Sequence, residues 1–117
     1  MAETISIDDF GKVEIRIGEI LSAEPIEGSD KLLKLRVNFG TEERQVLSGI
    51  AKYFAEPQEL VGKRCPFVTN LAPRMMMGLE SQAMILATGG DPIEGKPGEF
   101  EPLYLFESNA PAGSQAR

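Results

Sequence analysis

Apolar and polar residues alternate along this chain in short runs, and glycine and proline separate the runs. Leu33, Leu35, Val37 and Phe39 alternate with Lys34, Arg36 and Asn38, the period of a strand with one buried face. Upstream, over residues 12–21, Val13, Ile15 and Ile17 alternate with Glu14 and Arg16, which sends the three apolar side chains inward and the two charges outward. Gly18 breaks that phase, because Glu19 is polar where an apolar residue is due. A glycine inside a long strand predicts a bulge or sharp bend. Small barrels need such a bend so that one strand serves both halves of the sheet. Residues 44–48 form a third strand, joined to the second through a short hairpin at Gly40 and Thr41. Residues 50–54 and 57–61 read as short helical turns, with Pro57 tolerated at a helix start and Gly62 closing the second. A fourth strand runs from Cys65 to Asn70, with Pro66 marking an edge or a bulge, and a fifth covers residues 83–87.

The ends carry less pattern. Residues 1–6 form a short lead prone to fraying. Asp8 and Asp9 are placed to cap a turn before Phe10, and Phe10 is assigned to the core. After the fifth strand comes a loop of about 15 residues with Gly89, Gly90, Pro92, Gly95, Pro97 and Gly98, a length often flexible. Residues 103–106 make one more apolar strand, and Pro111, Gly113 and Ser114 read as a tail.

One stretch does not follow the alternation. Between Asn70 and Ala87, Pro73 and Gly78 punctuate a loop that holds Arg74 beside Met75, Met76 and Met77. Its exits carry the amide and hydroxyl groups of Asn70, Ser81 and Gln82. Arg74 offers a planar fork suited to phosphate or a guanine edge. Lys31, Lys34, Arg36 and Lys52 are candidate phosphate contacts. Asn70, Ser81 and Gln82 can hydrogen-bond sugar or base, and methionines adapt to irregular surfaces. Each has a plainer reading: Met75 to Met77 packing their loop, Met84 in the core, and Lys34 and Arg36 on a solvated strand face. Arg16 is set beside Glu14 and Glu19 as a structural ion pair, and Cys65 is a small buried hydrophobe.

The motif Asn70-Leu71-x-Pro73-Arg74, then Met77-Gly78, Glu80-Ser81-Gln82 and Met84-Ile85-Leu86, resembles the signature of the tRNA-binding domain family. That family occurs as a free-standing dimeric protein and as the C-terminal appendage of many methionyl-tRNA synthetases. Ile7-Asp8-Asp9-Phe10, the run Lys12 to Gly18, Ser29-Asp30-Lys31-Leu32-Leu33 and Ser48-Gly49-Ile50-Ala51-Lys52 agree in order, so the resemblance spans about residues 5–88. Two departures stand out: Ala83 stands where the family usually has glycine, and Pro66 interrupts a usually apolar strand. The resemblance implies an all-β OB-fold, a five-stranded barrel with a short helix between strands 3 and 4 and a C-terminal extension. Residues 1–117 would be a single domain with a core at about 7–88 and the extension at about 89–117. It implies non-catalytic, structure-specific tRNA binding and a homodimer that uses residues 103–106. Methionyl-tRNA synthetase is an implied partner, with the chain as its C-terminal domain or separate small subunit. It draws Asn70, Arg74, Ser81 and Met84 toward RNA contact, and the OB-fold face of strands 2 and 3 draws Lys34 and Arg36 there too. The alternative is a peptide-binding export chaperone of related fold, which the methionine loop and acidic surface fit. The Asp30-Lys31-Leu32 and Ser48-Gly49-Ile50 segments match the tRNA branch instead.

Composition sharpens the picture in two ways. At 117 residues the chain reads as one domain that buries roughly 65% of its unfolded surface. One cysteine, and no leader or long apolar run, point to a cytoplasmic protein with no membrane contact. The net charge of −6 opposes nucleic acid until the charges are placed: residues 1–30 carry −6, residues 31–74 carry +4, and residues 75–117 carry −4. A basic middle between acidic ends can make a local positive patch. The chain has no histidine, which removes the common proton shuttle and the usual Cys–His and Ser–His pairings, so no enzyme activity, cofactor or metal is expected. Phe39, Tyr53 and Phe54 form no aromatic ladder for stacking, which favours reading the shape of a folded RNA.

Overall fold

The computed structural model describes residues 2–116; Met1, at the start of the expected lead, and Arg117, at the end of the expected domain span, lie outside the described residues. The principal sheet is antiparallel and five-stranded. Its strands are β1 (Ile15–Pro25), β2 (Leu33–Asn38), β3 (Glu43–Ser48), β4 (Arg64–Val68) and, later in the chain, β7 (Met84–Ile85), in the order β3-β2-β1-β4-β7. This curled half-barrel is the all-β, OB-like fold the sequence implies. Two ribbons complete it: β5 (Arg74–Met76) with β6 (Leu79–Ser81), and β8 (Ala87–Gly89) with β9 (Leu103–Leu105).

β2 behaves as its alternation requires. Leu33, Leu35 and Val37 are fully buried, and Leu35 and Val37 stand opposite Ala23 and Ile20 of β1. β1 departs from expectation. Gly18 pairs with Cys65 and Arg16 with Phe67, so Arg16, Gly18 and Ile20 point into the barrel, and Ile15 and Ile17 lie on the opposite face of β1, where Ile17 is nonetheless buried. The cause is packing, since Val37, Phe39 and Phe67 fill the space where a side chain of residue 18 would stand. Phe39 and Phe67 meet edge to face at 5.3 Å above it. The bulge predicted near Gly18 occurs three residues on, as a register shift between Ile20 and Ser22.

Other differences have local reasons. The segment between β3 and β4 is two 3₁₀ turns, Ala51–Tyr53 and Pro57–Leu60, the second anchored by buried Leu60. Pro66 does not make β4 an edge strand, because β4 lies between β1 and β7. Its carbonyl accepts from Leu86 N, and the β7 ladder ends where the proline has no N–H to return. The expected fifth strand divides into β7 and β8. A helix α1 (Ile7–Phe10) forms the expected turn, capped by Ser6, whose Oγ accepts from Asp9 N. Phe10 on it is 48% exposed and not in the core. The expected tail is a pairing segment: Gly113 N donates to Ile17 O, Ile17 N to Ser114 O and Ala116 N to Ile15 O.

Candidate nucleic-acid interface

The stretch expected as a loop folds back on itself as the β5–β6 hairpin, with Arg74 opposite Ser81, Met75 opposite Glu80 and Met76 opposite Leu79. Its two-residue turn places Met77 at φ 52° and Gly78 at φ 76°. Both signs are what a type I′ turn demands, and such turns usually take Asn-Gly. Cross-strand partners share a face, so Arg74, Met76 and Ser81 lie on one side of the hairpin and Met75 and Glu80 on the other. Arg74, Met76, Ser81, Ala83 and Met84 line a slot of about 70 Å³ floored by Leu47 of β3. The methionines do not pack as a core: Met75, Met77 and Met84 are 68%, 56% and 47% exposed. Met84, read as core in the plainer account, is at the surface.

Ser81 and Gln82 close the barrel. Ser81 is buried, and its Oγ accepts from Leu47 N at 3.0 Å and donates to Ala83 O at 3.1 Å. Gln82 Oε1 accepts from Gln45 N, and Gln82 N donates to Gln45 O. These side-chain bonds, with the backbone bond from Gln82 N, join β3 to the chain leading into β7. Asn70 is engaged in the same way at another point: its Oδ1 accepts from Glu14 N at 2.8 Å and its Nδ2 donates to Lys12 O. Ala83 is buried in the core.

The cations divide by partner. Lys34 pairs with Glu24 and Arg36 with Glu43, each at 3.1 Å. Arg16 meets Glu14 as expected, at 3.2 Å, but its second partner is Glu42, at 2.8 Å, and not Glu19. Arg44 joins the same Glu42 at 2.9 Å and donates to Thr69 O and Gln82 O. Both guanidinium groups lie over the Phe39 ring, at 5.2 and 5.7 Å, and seal one end of the barrel. Hydrogen bonds from Arg16 and then Arg44 hold the Glu42 carboxyl below its ordinary value of 4.5. Among the described residues, Lys31, Lys52 and Arg74, and also Arg64 and Lys96, form no ion pair with a carboxylate. Burial pushes the Cys65 thiol up to about 11, which leaves it a packed hydrophobe at neutral pH.

The fold therefore gathers the candidates in two places. Arg74, Ser81, Gln82 and Met84 meet β3 through Leu47 and Gln45, and Lys34 and Arg36 are the register partners of those two residues on β2. Lys31 and Lys52 lie together at the end of the β2–β3 hairpin, where Ala51 N donates to Lys31 O. Asn70 belongs to neither group. Sequence reasoning missed Gln45, which also donates to Glu80 O and so anchors the hairpin. It missed Phe100 too, whose ring meets Tyr53 at 6.0 Å and lies under the Lys52 ammonium at 5.1 Å. Phe100 follows a glycine-rich loop with no periodicity, so nothing local marked it.

Residues 15–115 match the family model described as "Putative tRNA binding domain". Methionine--tRNA ligase 1 of Bacillus cereus is 47% identical over 116 residues, which cover 99% of this chain and 16% of that protein. The chain thus spans about a sixth of the length of that relative. Among solved structures, the MetRS related protein from Pyrococcus horikoshii has a TM-score of 0.85 and 35% identity, covering 99% of this chain and 100% of that one. The chaperone CsaA from Bacillus anthracis has a TM-score of 0.78 and 25% identity, covering 98% and 100%. With a family match over residues 15–115 and a 35% identical relative covered from end to end, the chain belongs to the tRNA-binding domain family.

Proposed function

We propose that this chain binds tRNA by its folded shape and catalyses no reaction. The observation that carries the reading is Arg74. It stands exposed on a hairpin pinned to β3, with no carboxylate partner among the described residues, in a chain of net charge −6 whose two β2 cations, Lys34 and Arg36, are neutralised. An unpaired guanidinium on a rigid support is what a phosphate contact needs. Lys31 and Lys52 extend the contact, and Lys34 and Arg36 join it when phosphate displaces their surface carboxylates. Met84 and Met76 line the slot beside Arg74. Ser81 and Gln82 serve by holding the interface in shape, and Asn70 by holding residues 12–14 to the end of β4, since these polar groups are already engaged. Anisotropy titration of labelled total tRNA tests this. Binding should weaken as salt rises, and the slope of log K against log salt, divided by about 0.7–0.9, counts the phosphates neutralised. Arg74→Glu should abolish binding. A wild type without salt-sensitive binding at low salt removes the reading.

The chain works in the cytoplasm as a homodimer, free-standing or beside a methionyl-tRNA synthetase to which it lends tRNA affinity. Exposed Tyr104 and Phe106 on and after β9, at the edge of a two-stranded ribbon, favour self-association there. Sedimentation at micromolar concentration should give twice the chain mass; a monomer would remove the dimer. The slot beside exposed methionines favours one second reading, a peptide-binding chaperone. Peptide capture there should survive high salt, where phosphate contacts fail.

A further inference from the structure

The C-terminal segment brings an aromatic ring to Lys31 and Lys52, two lysines with no ion-pair partner among the described residues. Ser29, Lys31, Leu32, Lys52, Tyr53 and Phe100 line an open groove of about 420 Å³, within the size range of small-ligand clefts. It is built before any ligand arrives. Ser29 Oγ accepts from Lys31 N and Leu32 N, and Lys31 O accepts from Ala51 N, so the chain around both lysines is fixed. Tyr53 Oη donates to Gly90 O at 2.8 Å and its ring meets Phe100 edge-on, at 78°. These contacts dock Phe100 beside Lys52. Glu101 lines an adjoining groove that shares Lys52, Tyr53 and Phe100, and it is absent from the lining around Lys31.

We propose that this groove holds an unpaired nucleotide of the bound RNA, its base against the Phe100 ring and its phosphate between the Lys31 and Lys52 ammonium groups. The proposal rests on the tRNA-binding reading and adds to it a contact with the nucleobase. A base within a duplex has no free face, so the nucleotide is single-stranded. Stacking on an aromatic ring tolerates any base, because every base has a π face. In the free chain the Lys52 ammonium covers the ring at 5.1 Å. An incoming base replaces it there and leaves the ammonium free to meet the phosphate. Charge complementarity favours this occupant: two cations without carboxylate partners among the described residues flank an aromatic wall.

The chain has no tryptophan, so Phe100→Trp places a single reporter at the proposed contact. Its emission should be quenched by tRNA and left unchanged by a blunt RNA duplex at saturating concentration. Phe100→Leu should weaken tRNA binding about 5- to 150-fold with the salt slope unchanged. Lys31→Ala combined with Lys52→Ala should lower the slope by about 0.7–0.9, the share of the one phosphate they hold. Unchanged emission at saturating tRNA overturns the proposal, as does a folded Phe100→Leu variant that binds like wild type. If Phe100→Leu does not fold, the tryptophan emission decides alone. Binding that Arg74→Glu abolishes while emission stays unchanged sinks the groove and spares the tRNA reading. A wild type that binds no tRNA ends both.

Discussion

A Cβ on Gly18 would collide with Val37 Cγ1 and stand 2.7 Å from Phe39 Cε1 and 3.0 Å from Phe67 Cδ1. All three atoms belong to buried side chains that cannot move independently. Gly18→Ala should therefore destabilise the chain by about 1–3 kcal/mol, the usual cost of overpacking a filled core. Urea unfolding checks it: the midpoint should fall with the slope unchanged. The sequence marked Gly18 as special because it broke a pattern, but not which face it served. Val13, Ile15 and Ile17 alternate as a core face would, and the phase error follows from trusting them. The barrel needs the inward row at Arg16, Gly18 and Ile20, with Arg16 capping the end over Phe39. Ser81 shows the converse limit. A hydroxyl in a recognition motif reads as a ligand contact, yet this one satisfies Leu47 N in the interior. Hydrogen-bonding capacity is visible in a residue type; the partner that uses it is set by a strand thirty-odd residues away.

Elements with local causes were legible, and those that depend on distant partners were not. β2 declares itself by alternation, and β3 by the turn that precedes it. The β5–β6 hairpin stayed hidden because its turn is Met77-Gly78, without the asparagine or aspartate that marks a two-residue turn. Met77 at φ 52° is the one non-glycine residue at positive φ among the described residues, and its methyl group lies against Gly28 of the β1–β2 loop. Relieving that backbone with Met77→Asn should raise stability by up to about 1 kcal/mol, read as a higher melting temperature. An unchanged or lower temperature would mean that the contact with the Gly28 loop outweighs the backbone cost. A second element-scale device is the seal in which Glu42 meets Arg16 and Arg44. Its folded pKa is lowered, so its contribution is present above about 4.5 and is lost as pH falls through the lower folded value. Stability of the wild type should therefore drop below pH 4.5, and Glu42→Gln should flatten the profile there. Acid titration of the melting temperature would show it, and parallel profiles would remove Glu42 from the account.

Charge is arranged at the scale of the whole molecule so that about half of the described cations are held by carboxylates. The net charge is −6, and a uniform body of that charge repels RNA. Glu24 and Glu43 tie up Lys34 and Arg36 on the OB face, while Arg74, Lys31 and Lys52 are left without ion-pair partners among the described residues. The side chains in these two pairs are 36% to 57% exposed, so each pair contributes within about 1 kcal/mol to stability and the carboxylates can be neutralised without unfolding. Glu24→Gln with Glu43→Gln takes the net charge from −6 to −4 and releases two cations next to the hairpin. If tRNA lies across this face, the double variant should bind more tightly at low salt. The direction of the slope then separates two causes. Where wild-type Lys34 and Arg36 leave their carboxylates to meet phosphate, the number of phosphates neutralised stays the same, and the gain appears as tighter binding with an unchanged slope. Where they stay with their carboxylates in the wild type, the variant adds up to two new phosphate contacts and the slope steepens by up to about 1.4–1.8. An affinity that does not change would place tRNA off the β2–β3 face and leave the interface to Arg74, Lys31 and Lys52 alone.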